Sequence, residues 1–141
     1  SEDRLRRIAE HLQAHGAESV KGLTGDGEIP GLDHDRGVVD ADGIGAADVV
    51  VVPLEDGDRA EALAALGKTE IVIDLNPLSR SMAAASIPIV DNVVRAIPNV
   101  TRHARVLQDA SPAELAQIVE DFDRGAALAA AERAIRRGDL D

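Results

Sequence analysis

Three short segments hold most of the residues in this chain that can do chemistry. Glu55-Asp56-Gly57-Asp58-Arg59 offers carboxylates and a guanidinium. Asp74-Leu75-Asn76-Pro77-Leu78-Ser79-Arg80-Ser81 adds an amide, hydroxyls and a second arginine, and Asp91-Asn92 is followed by Arg95. Between them they supply carboxylates for a metal ion or a hydroxyl, arginines for phosphate and amides for directional hydrogen bonds. Taken singly, each has a plainer reading. The acidic run is also a turn and helix start with Asp58 as its cap, Asn76-Pro77 also initiates turns, and Arg80 and Arg95 have many acidic neighbours to pair with. Gly43-Ile44-Gly45 falls short of a dinucleotide fingerprint, and the chain has no glycine-lysine phosphate loop. The residues alone reach a nucleotide- or phosphate-binding α/β domain, name no catalytic residue, and stop there.

The elements that must position these segments follow from periodicity. Residues 3–15 read as an amphipathic helix with Leu5, Ile8, Ala9 and Leu12 on one face, stopped by Gly16. Ser19-Val20-Lys21 reads as a short strand. The Gly-, Asp- and Pro-rich stretch 22–45 is long for a connection, so it is either functional or partly structured. Four consecutive valines at 49–52 predict a strand buried on both faces, the habit of parallel sheets covered by helices. A helix over 60–66, closed by Gly67, and a second buried strand over 70–75 complete a parallel crossover unit. Ile87-Pro88-Ile89-Val90 is a third strand, which Pro88 assigns to an edge. Ser111, Pro112 and Glu114 start a long C-terminal helix, with Gly125 the place where it bends or breaks. The fold class is therefore α/β, a Rossmann-like parallel sheet flanked by helices with a long C-terminal helix, in one domain over 1–141. Ligands of such sheets bind beyond the carboxyl ends of the strands, and parallel neighbours bring the three polar segments to that one edge.

Composition narrows the setting. Asp and Glu number 26 against 15 Lys and Arg, a formal net charge of -11, and only Lys21 and Lys68 are lysines. With one Phe and neither Tyr nor Trp, the core rests on Ala, Val, Ile and Leu. This is the composition of a haloarchaeal protein, whose hydrated carboxylates keep it soluble where salt screens their repulsion; an acidic mesophilic protein is the alternative. The charge disfavours nucleic acid and anionic membrane as partners. There is no Cys, and no apolar run of membrane-spanning length, so the cytoplasm is the expected compartment. His11 and His15 are spaced for a shared helix face, but no carboxylate accompanies them, and the surface reading is preferred to a metal site with protein-only ligands. Screening makes a prediction. The melting temperature rises between dilute buffer and molar potassium chloride, and a melt unchanged by salt contradicts the halophilic reading.

The segments are more specific together than apart. Pro53-Leu54-Glu55-Asp56-Gly57-Asp58-Arg59, Ile73-Asp74-Leu75-Asn76-Pro77-Leu78-Ser79-Arg80 and Ile89-Val90-Asp91-Asn92-Val93-Val94-Arg95-Ala96-Ile97-Pro98 resemble the archaeal 4-phosphopantoate–β-alanine ligases, or phosphopantothenate synthetases. Ile29-Pro30-Gly31-Leu32 and Ala46-Ala47-Asp48-Val49-Val50 are similar to that family as well. The resemblance runs from the first helix through Pro98 and loosens afterwards. It implies an enzyme of coenzyme A biosynthesis that joins 4-phosphopantoate to β-alanine with ATP and Mg²⁺, by way of an acyl adenylate, giving 4'-phosphopantothenate, AMP and diphosphate. It also implies a homodimer. By the same resemblance ATP contacts fall on Asp74, Leu75, Asn76, Arg80, Ser81, Asn92 and Val93. Glu55, Asp56, Asp58, Arg59 and Arg95 are candidate Mg²⁺ or substrate contacts. Members of the family are longer on the amino-terminal side, so the chain corresponds to their carboxyl-terminal part. A nucleotide-binding module without activity of its own is the alternative function. A nicotinamide-dependent oxidoreductase is disfavoured by the missing glycine fingerprint.

Overall fold

The computed structural model describes residues 2–53 and 57–138. Its centre is a parallel three-stranded sheet in the order β3-β4-β5, formed by β3 (Val49–Val52), β4 (Thr69–Asp74) and β5 (Ile87–Val90). Val49 to Val52 pair with Thr69 to Val72, and Ile71 to Asp74 pair with Ile87 to Val90. The crossovers carry α2 (Gly57–Ala65) and the short α3 (Arg80–Ala84). This is the expected α/β organisation. The strand order follows the chain, so the carboxyl ends of all three strands and the amino ends of their following helices share one edge. Pro88 lies opposite Val72 in an edge strand, as its missing N–H predicts.

One face of the sheet is well packed. Val72, Met82 and Ala85 are fully buried together, with Val52, Val90 and Leu128 against them, while Leu63 of α2 is buried with Ile29 and Val39. Deleting a buried leucine from such a core costs about 2–5 kcal/mol. The other face is less covered. Val49 and Val51 are half exposed, contrary to the two-faced burial read from the valine run, because β3 lies at an edge of the sheet. Glu70 of β4 is completely buried, with no hydrogen-bond partner for either carboxylate oxygen. Burial pushes its carboxyl up from the ordinary range, since the charged form is the one that desolvation penalises.

The amino-terminal helix α1 (Glu2–Ala14) matches the amphipathic reading and ends at Gly16, where φ is +96°. Only Ala9 of its apolar face is buried, and Leu5, Ile8 and Leu12 remain nearly half exposed. Ser19-Val20-Lys21 forms no strand. The chain there enters a loop whose N–H groups at Gly22, Leu23, Thr24 and Gly25 all donate to the carboxylate of Asp40. That loop leads into a small antiparallel pair, β1 (Gly27–Glu28) with β2 (Val38–Val39), so the 22–45 stretch is partly structured.

After β5 come α4 (Val93–Val106), α5 (Pro112–Glu120) and α6 (Arg124–Arg137). The stretch from Ser111 is two helices rather than one. Ser111 and Glu114 form the expected capping box, a device that contributes about 1 kcal/mol. The break falls before Gly125, because the Asp123 side chain caps the Ala126 N–H and starts α6 afresh. The C-terminal helix is docked by Arg124, whose guanidinium donates to the carbonyls of Met82, Ala83 and Ala85 at the end of α3. Among the described residues no helix is long and apolar enough to cross a membrane.

Candidate functional site

The edge at the strand ends is assembled from short-range turn chemistry. At the end of β4, Asp74 accepts the Asn76 N–H at 2.9 Å on one oxygen and the Ser79 hydroxyl at 2.5 Å on the other. Asn76 Oδ1 accepts the Leu78 N–H at 3.0 Å, and Ser79 Oγ caps α3 by accepting from Met82 N. These interlocked turns fix the 74–79 loop and leave the Asn76 amide nitrogen free of any protein acceptor among the described residues. Ser81 is completely buried and its hydroxyl has no hydrogen-bond partner, whereas Leu75 is exposed. At the end of β5, Asn92 caps α4 by accepting from Val94 N at 2.9 Å, with Val93 the first helical residue. Asp91 accepts the Asn92 N–H at 2.7 Å and Arg95 Nε at 2.8 Å. Those two donors, Arg95 first, hold the Asp91 carboxyl below its ordinary range.

Arg80 is held by two carboxylates. Its Nε and Nη2 meet the two oxygens of Glu61 at 2.9 and 2.8 Å, and its Nη1 meets Asp58 at 2.8 Å. The other Asp58 oxygen accepts Arg36 Nη1 at 3.0 Å. Asp58 is the second residue of α2 and not its cap, and both its oxygens go to arginines. Hydrogen bonds from Arg36 and Arg80 hold the Asp58 carboxyl below its ordinary range, and Arg80 does the same to Glu61. The two carboxylates in turn hold the guanidinium above its already high value. Arg59, the next residue of α2, reaches the Arg36 carbonyl at 2.8 Å. Beside this network is an open groove of about 450 Å³ whose lining includes Asp33, Arg36, Asp58 and Glu61.

The structure thus gathers Asp74, Asn76, Arg80, Asn92, Arg95, Asp58 and Arg59 at the sheet's carboxyl edge, as the parallel topology demands. Glu55 and Asp56 lie outside the described residues. Sequence reasoning missed Glu61 and Arg36, and it gave Ser79 no role of its own. Glu61 stands three residues after Asp58, a spacing that places both on one helix face. Ser79 had a cap's position directly before the helix. Among the described residues no group of three or more His, Asp or Glu side chains is arranged to hold a metal ion by itself.

The family model described as phosphopantothenate/pantothenate synthetase matches residues 1–138. The chain belongs to the phosphopantothenate/pantothenate synthetase family. It is 54% identical over 129 residues to the 4-phosphopantoate--beta-alanine ligase of Thermococcus onnurineus, covering 91% of this chain and 49% of that protein. The namesake from Thermococcus kodakarensis is 51% identical over the same shares of the two chains. The one from Methanosarcina mazei is 44% identical over 131 residues, 93% of this chain and 51% of that protein. The chain spans about half the length of the curated relatives it matches. The chain has a buried core, while most of the apolar face of α1 and the Val49 and Val51 side chains of β3 are exposed.

Proposed function

We propose that this chain supplies the nucleotide-holding part of an ATP-dependent ligase that joins 4-phosphopantoate to β-alanine, yielding 4'-phosphopantothenate, AMP and diphosphate. The observation that carries this reading is Arg80, fixed at the sheet edge beside capped turns, in a chain up to 54% identical to proteins named for that reaction. The donor set fits a nucleotide. Exposed backbone and the Asn76 amide suit a base or ribose, and Arg80 suits phosphate. Mg²⁺ accompanying the nucleotide would supply charge neutralisation at the phosphates, with Asp58 the described carboxylate among its candidate contacts. In this reading the pantoate carboxylate attacks the α-phosphate of ATP, diphosphate leaves, and the β-alanine amine then displaces AMP from the phosphopantoyl adenylate. The task of the fold is to hold two anions together and keep water from the adenylate. A homodimer working in the cytoplasm completes the proposal.

Half-length coverage favours one second reading, a module that holds ATP but needs further chain for turnover. The two separate in one experiment on the purified chain in concentrated potassium chloride with Mg-ATP, 4-phosphopantoate and β-alanine. AMP that appears only with both substrates establishes the ligase in this chain. ATP binding that is weakened by Asn76→Ala, without AMP, establishes the module. Absence of ATP binding by the folded chain defeats both.

A further inference from the structure

We infer that Glu61 is a positioning residue for the nucleotide phosphates, acting through Arg80 and resting on the nucleotide reading above. An arginine guanidinium is a planar fork with five N–H donors. Glu61 takes two of them, Nε and one on Nη2, in a bidentate contact at 2.9 and 2.8 Å, and Asp58 takes one on Nη1 at 2.8 Å. One hydrogen therefore remains on each terminal nitrogen, and a phosphoryl oxygen needs no more. Asp58 divides itself between Arg80 and Arg36, but both Glu61 oxygens go to Arg80. Glu61, with its two-point contact, does most to set the plane of the fork.

That constraint matters because the Arg80 side chain is 62% exposed. A free arginine there samples many rotamers, and the ordering needed to meet phosphate opposes binding. The pair itself adds little to folding, as exposed ion pairs do. Packing supports the same placement. A Cβ on Gly57 would lie 3.0 Å from the Arg80 Cβ, so the start of α2 is glycine where the arginine stem passes over it. One effect opposes the proposal, since a carboxylate beside the phosphates repels them. The geometry points to orientation as the larger effect, and the two have opposite signs in an experiment.

The test uses calorimetric titration of this chain with Mg-ATP and, separately, with adenosine. Glu61→Ala is expected to weaken Mg-ATP about tenfold while leaving adenosine unchanged. Glu61→Gln keeps an acceptor on Nε and falls between the two proteins, and it also serves if the alanine variant folds poorly. In an Arg80→Ala background, Glu61→Ala is expected to cause no further loss and to regain the part of the binding that its bare carboxylate opposes. Additive losses in that background, an equal loss for adenosine, or tighter Mg-ATP in Glu61→Ala would each overturn the inference while leaving the nucleotide reading intact. Failure of the unaltered chain to bind Mg-ATP sinks that reading and this inference with it.

Discussion

Asp40→Asn is expected to lower the melting temperature at neutral pH by on the order of 10 °C. Asp40 is buried, and its oxygens accept four backbone N–H groups: Gly22 at 2.7 Å, Leu23 at 3.3 Å, Thr24 at 2.9 Å and Gly25 at 2.7 Å. Asparagine presents an NH₂ where one of those oxygens stood, so two donors face a donor and lose their acceptor in a dry place. The Gly22–Gly25 loop cannot readily rearrange, because it already uses left-handed φ values of +91° at Gly22 and +65° at Gly25. A Cβ at Gly25 would also sit 2.8 Å from Val38.

The same contacts make the effect depend on pH. The Gly25 N–H first, with those of Gly22, Thr24 and Leu23, draws the Asp40 carboxyl down to about 2 from an ordinary 3.8. Between those values the unfolded chain binds the proton and the folded chain does not. The contribution of Asp40 is therefore complete above pH about 4 and is lost as pH falls through about 2. The gap in melting temperature between the native chain and Asp40→Asn should be widest near neutral pH and close toward pH 2. Asp58, Glu61, Asp91 and Glu114 are also drawn downward, but they remain in both proteins and cancel in the difference. Identical melts at pH 7 contradict the account.

Asp40 also illustrates what the sequence conceals. It stands in a Gly- and Asp-rich stretch where any acid looks like a turn residue, and its partners are 15 to 18 residues away. Elements whose signals are local were legible. The Ile87–Val90 strand, the Ser111 capping box and the glycine stop after α1 each follow from neighbouring residues. The valine run announced a strand, yet β-branched residues do not reveal whether a sheet face is covered, and Val49 and Val51 are half exposed. Asp123 restarted a helix in a stretch whose apolar spacing looked continuous. At the site, the parallel topology predicted which segments meet, because strand ends are ordered by the chain itself. Which carboxylate grips Arg80 depends on how α2 packs on α3, and no spacing rule carries that across 19 residues.

Arg80→Ala is expected to weaken Mg-ATP binding by roughly 10–100-fold with a melt close to that of the native chain. Two effects act in the same direction. The variant removes the donors available to phosphate, and it leaves Glu61 as an unneutralised carboxylate, with Asp58 held by Arg36 alone, beside the same anion. The second effect distinguishes this site from one where an arginine stands alone, and it is electrostatic, so the loss should shrink as potassium chloride is raised. The melt changes little because the pairs being lost are exposed. Arg80→Lys restores charge without the planar fork. It should recover the salt-sensitive part of the loss and not the remainder, since an ammonium cannot satisfy both Glu61 oxygens while offering two hydrogens in the same plane to phosphate. Titrations of both variants at low and molar salt measure the two parts separately. If Arg80→Ala binds Mg-ATP as tightly as the native chain at either salt concentration, the phosphates are held elsewhere, and the clamp on Arg80 serves only to fasten α2 to α3.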